Sequence, residues 1–558
     1  MNAHQKSPSV AIQKIFPSFY LERGVRSRGV FAFTQWRHRA NSAKPAERGK
    51  MRRAGIHRKL SVIIMTGLLL IGGVATPAVA APKTDPTKLA EKLVKQVTAS
   101  GANRHLIALQ RIAAQNGGNR AANTPGYDAS VDYVAGKLRT AGLTVTTPEF
   151  TYEELVIDAA LLAVAGVNYP IVEMTFSPDT PVGGITAPLL ALADLPADAT
   201  PGCEAEDYNG LNATGTIVVV RRGGCNFSVK VQLAADRGAV AAVVANNTTG
   251  AFTGTLGTPG AIPAGGIQQE VGTTLLGLSG TAATVDLRRH AVQRTSRNVI
   301  AQTTTGRQDN VVMVGAHLDS VPAGPGINDN GTGTAGLLEI ATKLGPTPKA
   351  NNAVRFAFWG AEELGLLGSN AYVNGLTLEQ QIDISLYLNF DMIGSKNAGY
   401  FVFDGDNSDQ VGAGAGPVGS AQIEKTFTDF FANRLKVPTQ GTDFDGRSDY
   451  GRFIFKGIPA GGLFTGAEVV KTPAQVQLWG GTPTAFDSCY HQACDTIQNV
   501  DRTALDRNLD AAAWATGIYG YSTEEINGVP PRQQRADLRA AGRMALTQAA
   551  PDSLGAAA

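Results

Sequence analysis

Cysteine, histidine and charge are all scarce in this sequence. Of 558 residues, four are cysteine, seven are histidine and 17% are charged, a low charged fraction for a cytosolic protein. Lys and Arg (49) nearly balance Asp and Glu (47). So small a net charge leaves no electrostatic footprint for nucleic acid or for an acidic membrane. The apolar run Leu60–Ala75 falls short of the ~20 residues a membrane span needs. The cysteines form two local pairs, Cys203/Cys225 and Cys489/Cys494, and none has the Cys-x-x-Cys spacing of a zinc site. In an exported chain that favours two disulfides over four buried thiols or a thiolate metal site. The length exceeds one core, so two or more domains are expected.

What is present changes character along the chain. Residues 1–50 are basic and patternless and are expected to be a non-native upstream extension. From Met51, MRRAGIHRK, the apolar Leu60–Ala75 and the small residues Ala78-Val79-Ala80 read as a signal peptide over 51–80, cleaved near Ala80. No cysteine sits at that cleavage site, which argues against a lipid anchor. Helical spacing covers 86–115, and Ser130 to Ala141 reads as an amphipathic helix ended by Gly142. Leu143 to Tyr152 reads as a strand. Residues 160–290 turn to Val, Ala, Gly and Thr in short strands and form a separate small module. After Thr295, strands alternate with helices: Val299–Thr303, Val311–Val314, Gly336–Leu344, Val354–Trp359, Leu386–Phe390, Phe401–Asp404, Ala421–Leu435 and Ala460–Phe464. That alternation predicts an α/β fold, a three-layer sandwich around a central, mostly parallel mixed sheet. The fold is discontinuous, built from 86–155 and 295–522 around the inserted module. Residues 523–558, with Pro530-Pro531 and an Ala-rich end, read as a flexible tail.

Polar residues recur at the strand ends. His317 and Asp319 follow Val311–Val314, and Asp329 lies in the next loop. Glu362 and Glu363 follow Val354–Trp359, Asp391 follows Leu386–Phe390, and His491 sits in FDSCYHQACD. In an α/β sheet such ends converge on one edge. Singly, each has a bland explanation: a surface pair, a helix N-terminus, a cap. Together, two histidines and several carboxylates suit zinc. Only four histidines follow residue 80, and the other two, His105 and His290, have no metal-like neighbours.

Two resemblances follow from quoted motifs. DYNGLNATGTIVVVRRGGCNFSVKVQLAADRGAVAAVVANN resembles a protease-associated domain, a small mixed α/β insertion found in secreted and vacuolar peptidases. GAHLDS, NDNGTG, FWGAEELGLLGS, NFDMIGS, GRSDYGRF, GGLFTGAE and CYHQACDT resemble the secreted bacterial double-zinc aminopeptidases of the aminopeptidase Y type (peptidase clan MH), over residues 100–155 and 295–520. The resemblance implies two zinc ions per chain. One takes His317 and Asp391, the other Glu363 and His491, and Asp329 bridges them with a water. It implies Glu362 as general base and Asp319 as the support of His317. In this clan the bridging Asp is often followed by a second Asp across a cis bond; here the pair is Asp329-Asn330, and a cis bond is expected.

These roles agree with chemistry. Two cations about 3.5–4 Å apart clamp a water and lower its pKa. Glu362, off the metal, is free to move its proton. A carboxylate behind a histidine ligand fixes its tautomer. Tyr490 is placed to donate to an oxyanion. Arg447 resembles a substrate-carbonyl contact. Met392 and Phe464 resemble the walls of an apolar side-chain pocket, or are ordinary core. Asp506 and Asp510 resemble part of a calcium site in some relatives. The expectation is a secreted, extracellular, monomeric zinc aminopeptidase. It would act on peptides or proteins with a free N-terminus, with a Leu-like preference, no nucleic-acid partner and no stable membrane anchor. The alternatives are a same-clan carboxypeptidase or dipeptidase, or a non-catalytic receptor-like binding protein.

Overall fold

Four strands set the centre of the fold, three of them built on β-branched and aromatic runs. Arg307–His317, Asn352–Trp359, Ile384–Phe390 and Ala460–Phe464 lie parallel and adjacent. Alternate residues enter opposite layers, as a strand requires. Val312 and Val314 join the core under the helices Ala99–Gln115, Pro125–Thr140, Gly333–Leu344 and Arg502–Tyr521, whereas Met313 packs with Trp359, Tyr387 and Phe453 on the other face. Both faces are thus covered, which is why these strands read as continuous apolar runs. Antiparallel strands Val299–Gln302 and Thr144–Thr146 extend the sheet on one side. Phe401–Phe403 and Gln440–Thr442 extend it on the other, for eight strands in all.

This computed structural model describes residues 87–549 except 193–199, 251, 413 and 528–531. The expected upstream extension and signal peptide lie outside them. No helix among the described residues is long and apolar enough to cross a membrane.

The sheet is interrupted by an antiparallel ribbon, Glu149–Val164 with Ala282–Arg297, paired from Glu149↔Arg297 to Val164↔Ala283. Pro148 separates it from Thr144–Thr146, so the strand expected over Leu143–Tyr152 is two strands. The ribbon carries a second eight-stranded sheet, in which Ile185–Ala191, Ile217–Arg221, Ala241–Ala245 and Ala264–Ile267 run parallel in that order. Cys203–Cys225 staples this module. At the ribbon's root, Phe150 and Tyr152 pack on Ala361, beside Glu362. The ribbon therefore braces the loop that carries both glutamates.

Two expectations change. The helix expected from Ser130 begins earlier, at Pro125, because Thr124 caps it: its Oγ1 accepts from the Tyr127 N–H at 3.3 Å. The segment from 523, expected to be a flexible tail, contains the helices Glu524–Asn527 and Arg532–Ala549. Among the described side chains of the second, two arginines hold it to the domain. Arg535 donates to the carbonyls of Asp309 and Ile382 (both 2.9 Å) and to Asn310 Oδ1 (2.7 Å). Arg539 donates to the carbonyls of Gln381 and Ile384. Hydrogen bonds from a charged donor contribute about 1.5–3 kcal/mol each, and each buried carbonyl left unpaired costs about 1–3 kcal/mol. Arg535→Met is expected to lower the unfolding free energy by about 2–4 kcal/mol in urea titration; a loss under about 0.5 kcal/mol would show that the helix is not held this way.

Candidate metal centre

The register of the parallel strands brings the polar residues together. His317 pairs with Trp359, and Gly315 pairs with Asn389, so His317 stands level with the residues that follow both neighbouring strands. Those residues are Glu362 and Glu363 on one side and Asp391 on the other. Asp329 comes from the turn Ile327–Thr332, and the Asp329-Asn330 bond is cis. His491 arrives on an irregular loop closed by the Cys489–Cys494 disulfide.

The five side chains form two triads that share Asp329. His317 Nε2 lies 3.1 Å from Asp329 Oδ1 and 3.3 Å from Asp391 Oδ1. His491 Nε2 lies 3.2 Å from Asp329 Oδ2 and 3.0 Å from Glu363 Oε2. Each oxygen of one carboxylate thus faces a different histidine. Glu362 Oε2 stands further off, 3.9 Å from His317 Nε2. Glu363 Oε1 and Asp391 Oδ1 are buried without a hydrogen-bond donor. Such oxygens are costly unless a cation meets them, so the donor set fits metal ions.

Electrostatics tell the same story. Burial works against charge on His317, but Asp391 and Glu362 outweigh it and hold its pKa well above the ordinary value. Burial likewise opposes charge on His491, yet Asp329 and Glu363 raise it to about 10. Glu363 is pushed up to about 7 by burial and by Asp329. The carboxylates around each imidazole thus favour positive charge at this point of the site.

The supports were less legible. Asp319 serves two partners. Its backbone carbonyl lies 3.2 Å from His317 Nδ1, with its carboxylate at 3.7 Å. That carboxylate accepts the N–H groups of Glu362 (3.1 Å) and Glu363 (3.3 Å). Asp495 accepts the N–H groups of Asn328 (2.8 Å) and Asp329 (3.0 Å), pinning the shared residue's backbone. Ser448 donates to Asp391 Oδ2 at 2.6 Å and accepts from Asn389 Nδ2 at 2.8 Å. Asp449, in the same GRSD stretch, is buried, and it raises the pKa of Glu362. These partners have no periodicity in the sequence; only their closeness to GRSD and CYHQACDT marked them.

Arg447 donates to the Tyr490 hydroxyl at 3.2 Å and pairs with Glu468 at 3.2 Å. Tyr490 stacks on the His491 ring, centroids 3.8 Å apart. Met392 is buried, with a left-handed backbone and its N–H 3.3 Å from Asn330 Oδ1. The Phe464 ring packs against Phe401 at 6.1 Å. Asp506 and Asp510 are not brought to this site. Asp506 Oδ1 accepts from the Ala99 N–H at 3.0 Å, and neither belongs to a cluster of potential metal ligands among the described residues.

Comparison with known proteins agrees with the fold. A model of "Peptidase family M28" matches residues 298–516, and a PA-domain model matches 185–275. A Mycobacterium tuberculosis protein named "Probable lipoprotein aminopeptidase LpqL" is 46% identical over 486 residues, 85% of this chain and 96% of the relative. "Leucine aminopeptidase 2" of Trichophyton equinum is 43% identical over 422 residues, 74% and 82% respectively. The solved zinc aminopeptidase of Bacillus subtilis superposes with a TM-score of 0.56 at 27% identity, covering 75% of this chain and 94% of that one. The chain belongs to peptidase family M28, with a PA domain inserted in its peptidase fold.

Proposed function

We propose that this chain is a zinc-dependent aminopeptidase, exported from the cell, that removes large apolar residues from the free N-termini of peptides. The observation that carries the reading is the pair of ligand triads sharing Asp329, with Glu362 adjacent but outside both. The relatives' names support the activity, and the Trichophyton leucine aminopeptidase supports the side-chain preference. Two disulfides suit an oxidising compartment.

In this reading His317, Asp391 and Asp329 would hold one zinc ion, and His491, Glu363 and Asp329 would hold the second. When bound, the ions would supply Lewis acidity to the attacking water and to the scissile carbonyl. Glu362 takes the proton from that water and delivers it to the leaving amine. Burial, then Asp449, Asp391 and Glu363, push its pKa up, and His317 opposes this. Tyr490 accepts from Arg447, which leaves its own O–H free to donate to the developing oxyanion. Burial, with Asp329 and Glu363 nearby, keeps that phenol protonated. Glu362 and Asp391 face the substrate's α-amine, Arg447 its carbonyl, and Met392 and Phe464 its first side chain.

Leu-p-nitroanilide is expected to be cleaved and its N-acetylated form left intact, with cleavage abolished by chelator and restored by zinc. Equal turnover of the blocked substrate would defeat the aminopeptidase reading, and chelator-resistant turnover would defeat the metal. Glu362→Gln is expected to keep its zinc and its KM while kcat falls by about 10²–10⁴-fold. A variant within threefold of the parent would remove Glu362 as the base.

A further inference from the structure

The loop Leu318–Gly326 lies between His317 and the turn that bears Asp329. It contains no helix or strand. Something must fix its shape, because its two ends set the spacing of two metal ligands. Its local support is slight: Ser320 Oγ lies 3.0 Å from the carbonyls of Val321 and Gly324.

One residue from far away clasps both ends. Arg120, in the turn between the helices Ala99–Gln115 and Pro125–Thr140, is fully buried. Its Nη1 donates to the Leu318 carbonyl, its Nε to Pro325 (2.9 Å) and its Nη2 to Gly326 (2.6 Å). Its backbone N–H donates to Ser320 Oγ (2.9 Å), and its carbonyl accepts from the Ser320 N–H (3.3 Å). A single planar fork thus holds the first and last carbonyls of the loop. The packing leaves little slack. Gly326 has φ +61°, and a Cβ there would lie 2.4 Å from the Asp329 carbonyl oxygen and 3.2 Å from Arg120 Nη2. A Cβ on Gly324 would lie 2.3 Å from the carbonyl oxygen of Gln492, the neighbour of His491. The loop is therefore wedged between Arg120 and the His491 segment.

We infer that Arg120 is a positioning residue of the metal centre: by clasping Leu318–Gly326 it sets the separation of His317, Asp329 and His491. This rests on the zinc reading above. Charge alone does not explain the arrangement. Burial pushes the guanidinium down to about 10, with Asp319, Asp495, Asp329 and Glu363 opposing, so it stays charged at neutral pH beside the ligands, where a positive charge by itself repels zinc. The benefit must come from geometry. A lysine would keep the charge and lose the fork.

Arg120→Lys separates the two contributions. In the full chain, zinc affinity is read by competition with a chromogenic chelator, and ligand geometry by the visible spectrum of the cobalt(II)-loaded protein. Affinity at one or both sites is expected to fall about 10- to 100-fold. The cobalt spectrum should shift, and kcat for Leu-p-nitroanilide should fall with KM little changed. Should Arg120→Lys fail to fold, Ser320→Ala, which removes the acceptor of the Arg120 N–H, is expected to weaken zinc in the same direction. A folded Arg120→Lys with affinity within twofold of the parent and an unchanged cobalt spectrum overturns the inference. So does an unchanged Ser320→Ala. The parent, measured alongside, distinguishes the two levels: a parent that binds no zinc defeats the metal reading itself.

Discussion

One carboxylate shared between two histidines organises this molecule. Asp329 turns one oxygen toward His317 at 3.1 Å and the other toward His491 at 3.2 Å. Two divalent ions about 4 Å apart repel by roughly 17 kcal/mol at an effective dielectric constant of 20. No site holds them so close without negative charge between them. In the proposed two-zinc site Asp329 would supply it, and with Glu363 and Asp391 would set three carboxylates against the four positive charges. The five side chains of the two triads are buried or nearly so, which strengthens each attraction and raises the cost of any oxygen left without a cation.

Much of the remaining architecture keeps Asp329 in place. The parallel sheet brings His317, the glutamates and Asp391 to one edge through its register. Asp495 holds the Asp329 backbone from the His491 loop, and the Cys489–Cys494 bridge closes that same loop. Asp319 ties the His317 strand to the glutamate loop through two backbone N–H groups. The ribbon bearing the PA domain packs Phe150 and Tyr152 against Ala361. The inserted domain is thereby fastened to the segment that presents Glu362.

The legible part of the sequence was what repeats or what matches a motif. Val311–Val314, Val354–Trp359 and Leu386–Phe390 announced themselves as buried strands because both sheet faces are covered. The polar residues just beyond them stood out against apolar runs. The supports did not stand out. Arg120 acts on backbone atoms far away in sequence, and no spacing signals such a partner; Asp495 and Ser448 lie inside CYHQACDT and GRSDYGRF, but the atoms they hold, the Asp329 N–H and Asp391, are distant in sequence. The docked C-terminal helix escaped for a similar reason: Arg535 and Arg539 attach it through carbonyls. Asp319 was legible as a companion of His317, but its hold on the two glutamate N–H groups depends on the register of neighbouring strands.

Whether Asp329 bridges two metal ions is read from crystals of the zinc-loaded protein measured at the zinc absorption edge. Two anomalous peaks about 3.5–4 Å apart are expected, one beside His317 and Asp391 and the other beside Glu363 and His491, with an Asp329 oxygen at each. A single peak, or two peaks with both Asp329 oxygens on the same ion, would contradict the bridging role.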